Sequence, residues 1–549
     1  MYSTVKEWIK DYRISLTILL LLVVVVYMNS LGNGFVIDDN TAISNNPKIT
    51  SFKSVTDRPL FVQPLLYFIV SNLFGPNPTM FRLVNILFHI GTVWITFILL
   101  SITSGPIIGF FTASLFAVHP IVTESVVWIS GGPHVIYSFF LLFSLLFYVL
   151  SSNKKTYYWV SLIFFLLALA TSEKAIIFPG ILLFYEIALS DIKKSWKKIA
   201  PFFIFSGVLV LRVYLPQVGE RAAEFQKNVS VKPVFNNPVI LIPYAVSSYL
   251  QLIFWPIRLS LFHYQTKISL VEYLARLLVF LPFIGLIGLS FQKNRHIFFW
   301  LCFFITSIAW TFLPFGVVGI VAERYVYLGT IGVLFLLGYI LEKLLEAKRT
   351  ETLAILLFII FMIFFMIRTV VRNFDWKNEE SLWFATVKTD FIYHGAHNKL
   401  GELYERKGDL ANAIKEYKIA LRLNPNYPEG YSNLGAAYLK MRKLSEASEA
   451  FNKSIQLNPW LWQPYQNLAV IYYGRGSYDK AIEYTKAAIQ KVPKTSDQYL
   501  KANSELYFNL GAMYLKKGDK KKAKEAILAA LGFNPQDPKA RKILLQLRE

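Results

Sequence analysis

Residues 351–371 read ETLAILLFIIFMIFFMIRTVV, a run in which only Glu351 and Arg368 are charged. A helix needs about 20 mostly apolar residues to cross the roughly 30 Å of hydrocarbon in a bilayer, so this run predicts a membrane-spanning helix. Similar runs recur toward the N-terminus, whereas a repeated pattern begins after Asp375. The sequence therefore predicts an all-α chain, a polytopic membrane part followed by an α-solenoid of repeats.

The membrane part is expected to contain about eleven crossings. They are residues 14–31, 80–102, 106–121, 133–151, 157–173, 174–190, 199–215, 271–291, 296–315, 324–344 and 351–371. Residues 236–262 are also apolar but contain three prolines. A crossing there would expel Lys293, Arg295, Lys343, Lys348 and Arg349 from the cytoplasm, so we predict a re-entrant or surface-lying element instead. This places the N-terminus in the cytoplasm and the C-terminal repeats outside it.

Composition excludes several classes of protein. Apolar residues make up 54% of the chain and charged residues 17%, with a mean hydropathy of +0.42, which excludes a soluble, disordered or fibrous chain. The net charge of +22 is shared by both parts, so it predicts contact with membrane lipid and no nucleic-acid partner. The single cysteine, Cys302, excludes a disulfide framework and a cysteine-based zinc site.

The C-terminal third has the period of tetratricopeptide repeats. The pair Leu400-Gly401 recurs as Leu434-Gly435, Leu468-Ala469 and Leu510-Gly511, each followed by tyrosine, alanine and proline at fixed offsets. We therefore predict a membrane domain over 1–375 and a linker or first helix over 376–393. The repeat domain, 394–549, is expected to hold four repeats and a capping helix: 394–427, 428–461, 462–495 and 504–537, with an insertion at 496–503.

Such a stack presents a concave groove lined by the first helix of each repeat. The side chains predicted to line an acceptor groove there are Tyr431, Asn433, Tyr465, Asn467 and Asn509. Tyrosine and asparagine can hold an extended peptide without demanding one sequence. The alternative, that these tyrosines only fill the core between helices, is equally compatible with the pattern.

The motif Gly34-Phe35-Val36-Ile37-Asp38-Asp39-Asn40 follows the first crossing. Two adjacent carboxylates at a membrane boundary are costly to desolvate and can have separated pKa values, which suits one as a general base. A solvated turn is the competing interpretation, because Asp and Asn favour turns.

Further ionisable residues are predicted at the ends of crossings on the same outer side. They include Arg58, Arg82, His89, His119, Glu124, Glu173, Lys174, Glu323 and Arg324. Single groups of this kind often only anchor a helix at the interface. Cations facing a carboxylate pair would also suit transfer from a lipid-linked phosphosugar, with Arg or Lys on the phosphate and a carboxylate taking a proton.

Other chemistries lack support in the sequence. There is no phosphate-binding P-loop, no CxxC pair, no HExxH motif and no nucleophile elbow. Charges at span ends also argue against a secondary transporter, which would place them at the membrane midplane. What remains is a membrane transferase, or an anchor that displays the repeats as a scaffold.

Several motifs in order resemble the TMTC family of transmembrane and tetratricopeptide-repeat O-mannosyltransferases. They are FVIDDN (35–40), RPL (58–60), FRLVNILFH (81–89), FAVHPIVTES (116–125), SEK (172–174), VAERYVYL (321–328) and RNFDW (372–376). The resemblance implies the GT-C glycosyltransferase fold. It also implies inverting transfer of a mannose-like sugar from a polyprenyl-phosphate carrier to a hydroxyl of a protein acceptor, with a glycan acceptor as an alternative.

The resemblance also implies roles for individual residues. Asp38 or Asp39 would be the base and Glu124 a supporting carboxylate. Lys174 and Arg324 would bind the donor phosphate, with Arg58 and Arg82 as further candidates.

The chain departs from the family at residues 131–134, Gly-Gly-Pro-His, where many members have Gly-Arg-Ala-Glu. Its few repeats suggest a prokaryotic member in a bacterial or archaeal cytoplasmic membrane. We expect no cofactor and no metal, although Asp38, Asp39 and Glu124 could in principle ligate a divalent cation.

Overall fold

The structure is a computed structural model that describes residues 5–216, 237–263, 268–312, 321–493 and 499–547. In these residues every regular element is helical and no strand occurs, which confirms the all-α prediction. The described residues divide into two compact units, the first up to Asp390 and the second from Phe391 onward. Within the predicted linker, residues 376–390 therefore belong to the first unit.

The first unit holds sixteen described α-helices. They are α1 (Val5–Tyr27), α2 (Lys53–Thr56), α3 (Val62–Phe74), α4 (Pro78–Thr103), α5 (Pro106–Val118), α6 (Thr123–Val127), α7 (Pro133–Leu150), α8 (Lys155–Thr171), α9 (Phe178–Leu189), α10 (Ile192–Leu209), α11 (Pro238–Phe254), α12 (Leu270–Lys293), α13 (Arg295–Ile308), α14 (Tyr327–Glu346), α15 (Glu351–Asp375) and α16 (Glu379–Thr389). Short 3-10 helices, Glu173–Ile177 and Glu323–Val326, precede α9 and α14.

Each predicted crossing overlaps a described helix, although residues 313–315 of the crossing 296–315 lie outside the described residues. The chain is an integral membrane protein. Seven described segments are long and apolar enough to span a bilayer: Asp11–Ser30, Pro78–Thr103, Ile129–Leu150, Leu270–Lys293, Arg295–Phe312, Glu323–Glu346 and Glu351–Asp375. The pair Pro106–Val118 and Pro120–Val127, bent by 52°, could form an eighth. The helices α8, α9 and α10 do not meet the same test, so the number eleven stays a prediction.

The break in the bent pair lies at His119-Pro120. Proline lacks a backbone N–H and cannot continue the α-helical hydrogen bonding, so α5 ends at Val118 and the chain turns. The His119 side chain accepts from the N–H of Ile121 at 3.1 Å and its Nε2 lies 2.9 Å from the carbonyl oxygen of Ile253 at the end of α11. The apolar stretch 236–262 is thus represented by α11, which is tied to this turn.

The second unit is a series of helix pairs. The pairs are His394–Arg406 with Leu410–Leu423, Pro428–Lys440 with Leu444–Leu457, Gln463–Gly474 with Tyr478–Lys491, and Tyr499–Lys517 with Lys520–Phe533, followed by Pro538–Gln546. Residues 499–503 of the predicted insertion extend the first helix of the fourth pair. Small residues bring the two helices of a pair together, since a Cβ on Gly435 would lie 2.7 Å from the Phe451 ring.

Candidate functional site

The loop that follows α1 is held by a buried arginine. Arg82 is fully buried on α4, and its Nη1 and Nη2 donate to the carbonyl oxygens of Asn33 and Gly34 at 2.8 and 3.0 Å. Its Nε donates to the carbonyl oxygen of Val127 at 2.8 Å. Arg82 therefore fixes the backbone before the two aspartates. Its guanidinium binds backbone carbonyl oxygens, whereas the sequence analysis named it as a candidate for binding the donor phosphate.

Asp39 is the buried member of the aspartate pair. Its Oδ1 accepts from the backbone N–H and the hydroxyl of Ser130, at 2.8 and 2.6 Å, and its Oδ2 accepts from the N–H of Val36 at 3.2 Å. Burial raises the pKa of the Asp39 carboxyl above its usual range, although these hydrogen bonds and the charge of Arg82 oppose the shift. Asp39 therefore ties the loop to the segment that contains Ser130.

Asp38 is the exposed member of the pair. The preceding residue, Ile37, has φ +49°, a left-handed conformation that is strained for a β-branched side chain. Such strain persists only where the surrounding structure enforces it, and it is concentrated at functional sites. Ser130 holds Asp39 in place, and the strained Ile37 immediately precedes Asp38. The loop therefore presents the Asp38 carboxylate to solvent.

Residues 119–132, which join α5 to α7, contact both the aspartate loop, which contains Asp38 and Asp39, and the segment that contains Arg324. Glu124, fully buried on α6, accepts from the Arg324 guanidinium and also from the Arg324 backbone N–H at 3.1 Å. The guanidinium carbon of Arg324 lies 5.6 Å from the Trp128 ring centroid. One short segment thus anchors Asp39 through Ser130 and Arg324 through Glu124.

The residue before Arg324 pairs elsewhere. Glu323 is fully buried, and its two carboxylate oxygens accept from Nη2 of Arg372 at 3.1 and 3.3 Å. Arg372, near the end of α15, also donates to Asp375 at 2.9 Å. His263 Nε2 lies 3.6 Å from Glu323. This network ties the start of α14 to the end of α15, and it was not foreseen from the sequence.

Lys174 and Arg324 lie on either side of an aromatic pair. The Lys174 ammonium is 5.0 Å from the Trp310 ring centroid and 3.7 Å from a Glu173 carboxylate oxygen. Trp310 meets Tyr325 edge to face at 4.6 Å between centroids, and the Arg324 guanidinium carbon lies 4.6 Å from the Tyr325 ring. The two predicted phosphate-binding cations are thus brought together although they are far apart in the sequence.

His134 is a site residue that the sequence analysis missed. Its ring lies 5.8 Å from that of Tyr325, the aromatic residue that both Trp310 and Arg324 contact. Its Nδ1 is buried and has no hydrogen-bond partner in the described part of the chain. The sequence feature that could have identified His134 is its position in Gly131-Gly132-Pro133-His134, where the chain departs from the TMTC family.

Other predicted residues lie apart from this arrangement. Arg58 is exposed between α2 and α3. His89 is buried in the core, with Nδ1 2.7 Å from the Tyr327 hydroxyl. Among the described residues, no three His, Cys, Asp or Glu side chains come together as a group that could hold a metal ion, so the possible Asp38, Asp39 and Glu124 ligand set is not assembled.

The predicted groove residues of the second unit are all half-buried. Asn433 Nδ2 donates to Oδ1 of Asn398 at 3.1 Å and to Oε1 of Glu402 at 3.2 Å, which links neighbouring first helices. Tyr431 packs against the core formed with Tyr417 and Leu434. The Tyr465 hydroxyl donates to the carbonyl oxygen of Pro459, and its ring packs against the next core cluster.

The side-chain amides of Asn467 and Asn509 make no hydrogen bond to another described residue. Both tyrosines therefore contribute to packing, and the two asparagines retain free amide groups.

Comparison with protein families identifies the repeats. A family model described as TPR repeat matches residues 401–441, and models described as tetratricopeptide repeat match residues 428–461, 463–490 and 504–537. A crystal structure of MamA protein aligns with a TM-score of 0.24 and 26% identity, covering 29% of this chain and 82% of that chain.

Curated relatives extend the similarity into the membrane part. Human protein O-mannosyl-transferase TMTC3 is 24% identical over 479 residues, which is 75% of this chain and 51% of the relative. Protein O-mannosyl-transferase F38B6.6 of Caenorhabditis elegans is 25% identical over 453 residues, 76% of this chain and 63% of the relative. The curated homologues are thus TMTC O-mannosyltransferases, as the motifs predicted. The chain spans about half to two thirds of the length of these relatives.

Proposed function

We propose that this protein is a membrane glycosyltransferase that transfers a mannose-like sugar from a polyprenyl-phosphate carrier to a hydroxyl of a protein acceptor. The names of the curated homologues support the general activity. One arrangement in the first unit carries the rest of the proposal. An exposed Asp38 follows a strained Ile37, on a loop anchored to the same segment, 119–132, that anchors Arg324.

Asp38 is proposed as the general base. Its carboxylate would take the proton from the acceptor hydroxyl as the acceptor oxygen bonds to the anomeric carbon of the sugar. The bond between that carbon and the phosphate oxygen would break at the same time, and the electron pair would leave with the polyprenyl phosphate. Asp39 is a positioning residue here, because its carboxylate is already occupied by Ser130 and Val36.

Arg324 and Lys174 are proposed to stabilise the leaving phosphate. The side chain of Arg324 is 14% exposed and that of Lys174 is 16% exposed. A phosphate can therefore reach both side chains, which are partly shielded from water. Partial burial strengthens the attraction between a cation and a phosphate. Glu124 supports this role by fixing the Arg324 guanidinium, and no metal or cofactor is invoked.

The proposed orientation places this site and the repeats on the extracytoplasmic face and the N-terminus in the cytoplasm. The distribution of lysine and arginine in the connecting segments supports it. The repeats are proposed to recruit the protein acceptor, because tetratricopeptide stacks present surfaces suited to extended peptide. Asn467 and Asn509 have free amide groups for such contacts.

The proposal is tested by reconstituting the purified full-length protein in vesicles with a radiolabelled mannosyl-phosphoryl polyprenol and a mixture of exported proteins from its host. Label that appears on protein and is released by mild alkali supports O-linked transfer to Ser or Thr. Label that appears only on glycan would move the acceptor to a saccharide. No release of sugar from the carrier by a folded protein would refute the transferase and favour a membrane-anchored repeat scaffold.

A further inference from the structure

The helices α8 and α10 lie side by side, and both begin at the same end of the first unit. The Tyr158 hydroxyl donates to the carbonyl oxygen of Lys198 at 3.1 Å. The Tyr158 and Phe165 rings both pack against Phe202, with centroids 6.1 and 5.2 Å apart. The C-terminal end of α8 leads directly to Lys174, so this end lies about 25 Å, the length of α8, from the candidate site.

This end carries a concentrated positive charge. Its six exposed lysines, called the basic end below, are Lys154, Lys155, Lys193, Lys194, Lys197 and Lys198. Asp191 is the acidic residue that contacts this set, 3.4 Å from Lys194, with both side chains largely exposed. An exposed pair of this kind neutralises little of the field, so the basic end remains strongly positive.

The lysines of α10 lie on the helix face opposite the one that packs against the protein. Ser195, Ile199, Phe202 and Ser206 follow the helical repeat and are buried against the unit. The opposite face is basic up to Lys198 and apolar beyond it, where the exposed residues are Phe203, Ile204, Phe205 and Val208. This change from charged to apolar along one exposed face places the edge of the hydrocarbon layer near Pro201.

Two exposed tryptophans lie at the same level. Trp196 is 57% exposed on α10 and Trp159 is 62% exposed on α8. Lys197 lies 5.6 Å from the Trp196 ring centroid. Tryptophan is enriched where the lipid headgroups meet the hydrocarbon, because its apolar ring and polar N–H suit that layer. Both rings therefore mark the headgroup layer beside the six lysines.

We propose that the basic end is a binding site for anionic phospholipid headgroups of the surrounding leaflet. Lysine ammonium groups attract headgroup phosphates, and the two tryptophans hold the helix starts at that depth. A nucleic acid or an acidic protein could match the charge, but neither accounts for exposed tryptophans followed by an apolar helix face. This inference does not depend on the proposed enzymatic activity.

The test uses the purified full-length protein in phosphatidylcholine vesicles that contain spin-labelled phosphatidylglycerol or spin-labelled phosphatidylcholine. The association of each labelled lipid with the protein is measured by electron spin resonance. We expect a preference for phosphatidylglycerol that declines at molar salt, because such screening shortens the reach of the lysine charges. Millimolar inorganic phosphate should not displace the lipid, and displacement by phosphate would show a free-anion site instead.

The decisive variant is K193Q/K194Q/K197Q/K198Q. Its matched control is K516Q/K520Q/K521Q/K524Q, which removes the same charge from exposed positions in the repeat unit. We expect the first variant to lower the preference by at least about twofold and the control to leave it unchanged. An equal effect of both variants, or of neither, would overturn the proposal. If the first variant does not fold, the corresponding four-arginine variant must retain the preference, and its loss there would also overturn it.

Discussion

Glu323 and Arg324 are neighbours in the chain, but their side chains form ion pairs with different helices. Glu323 pairs with Arg372 on α15, whereas Arg324 pairs with Glu124 on α6. Both carboxylates are fully buried, so each needs its arginine to offset the loss of hydration. The segment before α14 is therefore fixed from two sides, and Arg324 is held by the same segment, 119–132, that anchors Asp39.

Glu124→Gln is expected to weaken donor binding more than it slows chemistry at saturating donor. The variant leaves Arg324 without its anionic partner, so the guanidinium loses its fixed orientation. Breaking a buried pair costs about 3–5 kcal/mol, which should lower the melting temperature, and the KM for the lipid-linked donor should rise about tenfold. Glu346→Gln, which breaks an exposed pair with Lys343 at 2.6 Å, is the control and should change neither quantity measurably.

Arg372→Gln is expected to destabilise the first unit strongly because Glu323 would remain buried without its main partner. The expected loss is again about 3–5 kcal/mol, measured as a drop in melting temperature in detergent. The double variant E323Q/R372Q should recover part of the loss, since two amides can bond to each other. Additive losses in the double variant would contradict this reading of the pair.

A neighbouring arginine supplies the control for that pair. Arg368 lies one turn earlier on α15 and donates to the carbonyl oxygens of Pro256 and Ile257 at 3.2 and 2.9 Å. Arg368→Gln leaves no buried charge unpaired, so its effect on stability should be clearly smaller.

Asp39 should make stability depend on pH in a defined direction. Burial raises the pKa of its carboxyl in the folded protein, so the native state holds this proton to higher pH than the unfolded state does. The free energy of unfolding therefore falls as the pH rises from the ordinary Asp value of about 4 through the raised value, and the Asp39 contribution is constant above it.

In Asp39→Asn this contribution is absent. The difference in melting temperature, wild type minus variant, should thus decrease as the pH rises through that window. A difference that increases with pH would show that the hydrogen bonds from Ser130 and Val36 outweigh burial.

Replacing glycine by alanine should have opposite effects on stability at two positions of the repeat unit. A Cβ on Gly435 would lie 2.7 Å from the Phe451 ring, whereas nothing lies within 4 Å of a Cβ on Gly474. Gly435→Ala should cost about 1–3 kcal/mol through overpacking, and Gly474→Ala should be neutral or stabilising by up to about 1 kcal/mol. Hydrogen exchange of the second and third helix pairs in the full-length protein measures both, and equal effects would contradict the packing.

Local patterns predicted the helices well. Runs of apolar residues and the recurring Leu-Gly pairs depend only on residues close in sequence, and the structure places helices at each predicted crossing and in each repeat. Local sequence does not determine which aspartate is exposed, because this depends on the backbone of Ile37 and on Ser130, which is 91 residues from Asp39.

The pairing of ionisable groups was equally hidden. Arg82 was expected to bind phosphate, but the backbone carbonyls of a loop 48 and 49 residues away occupy it. The sequence likewise does not indicate that Glu323 forms its ion pair with Arg372 while Arg324 forms its ion pair with Glu124. Such choices are made by the three-dimensional packing of helices, not by local composition.

We propose above all that the exposed carboxylate of Asp38 performs the chemistry of sugar transfer. Its most direct test is single-turnover transfer from radiolabelled mannosyl-phosphoryl polyprenol by purified wild type, Asp38→Asn and Asp57→Asn, the last changing another exposed aspartate of the same loop region. We predict that Asp38→Asn keeps the wild-type melting temperature and slows transfer by about 100-fold to 10,000-fold, as expected for loss of a general base, while Asp57→Asn transfers normally. Transfer by Asp38→Asn at the wild-type rate would contradict the account.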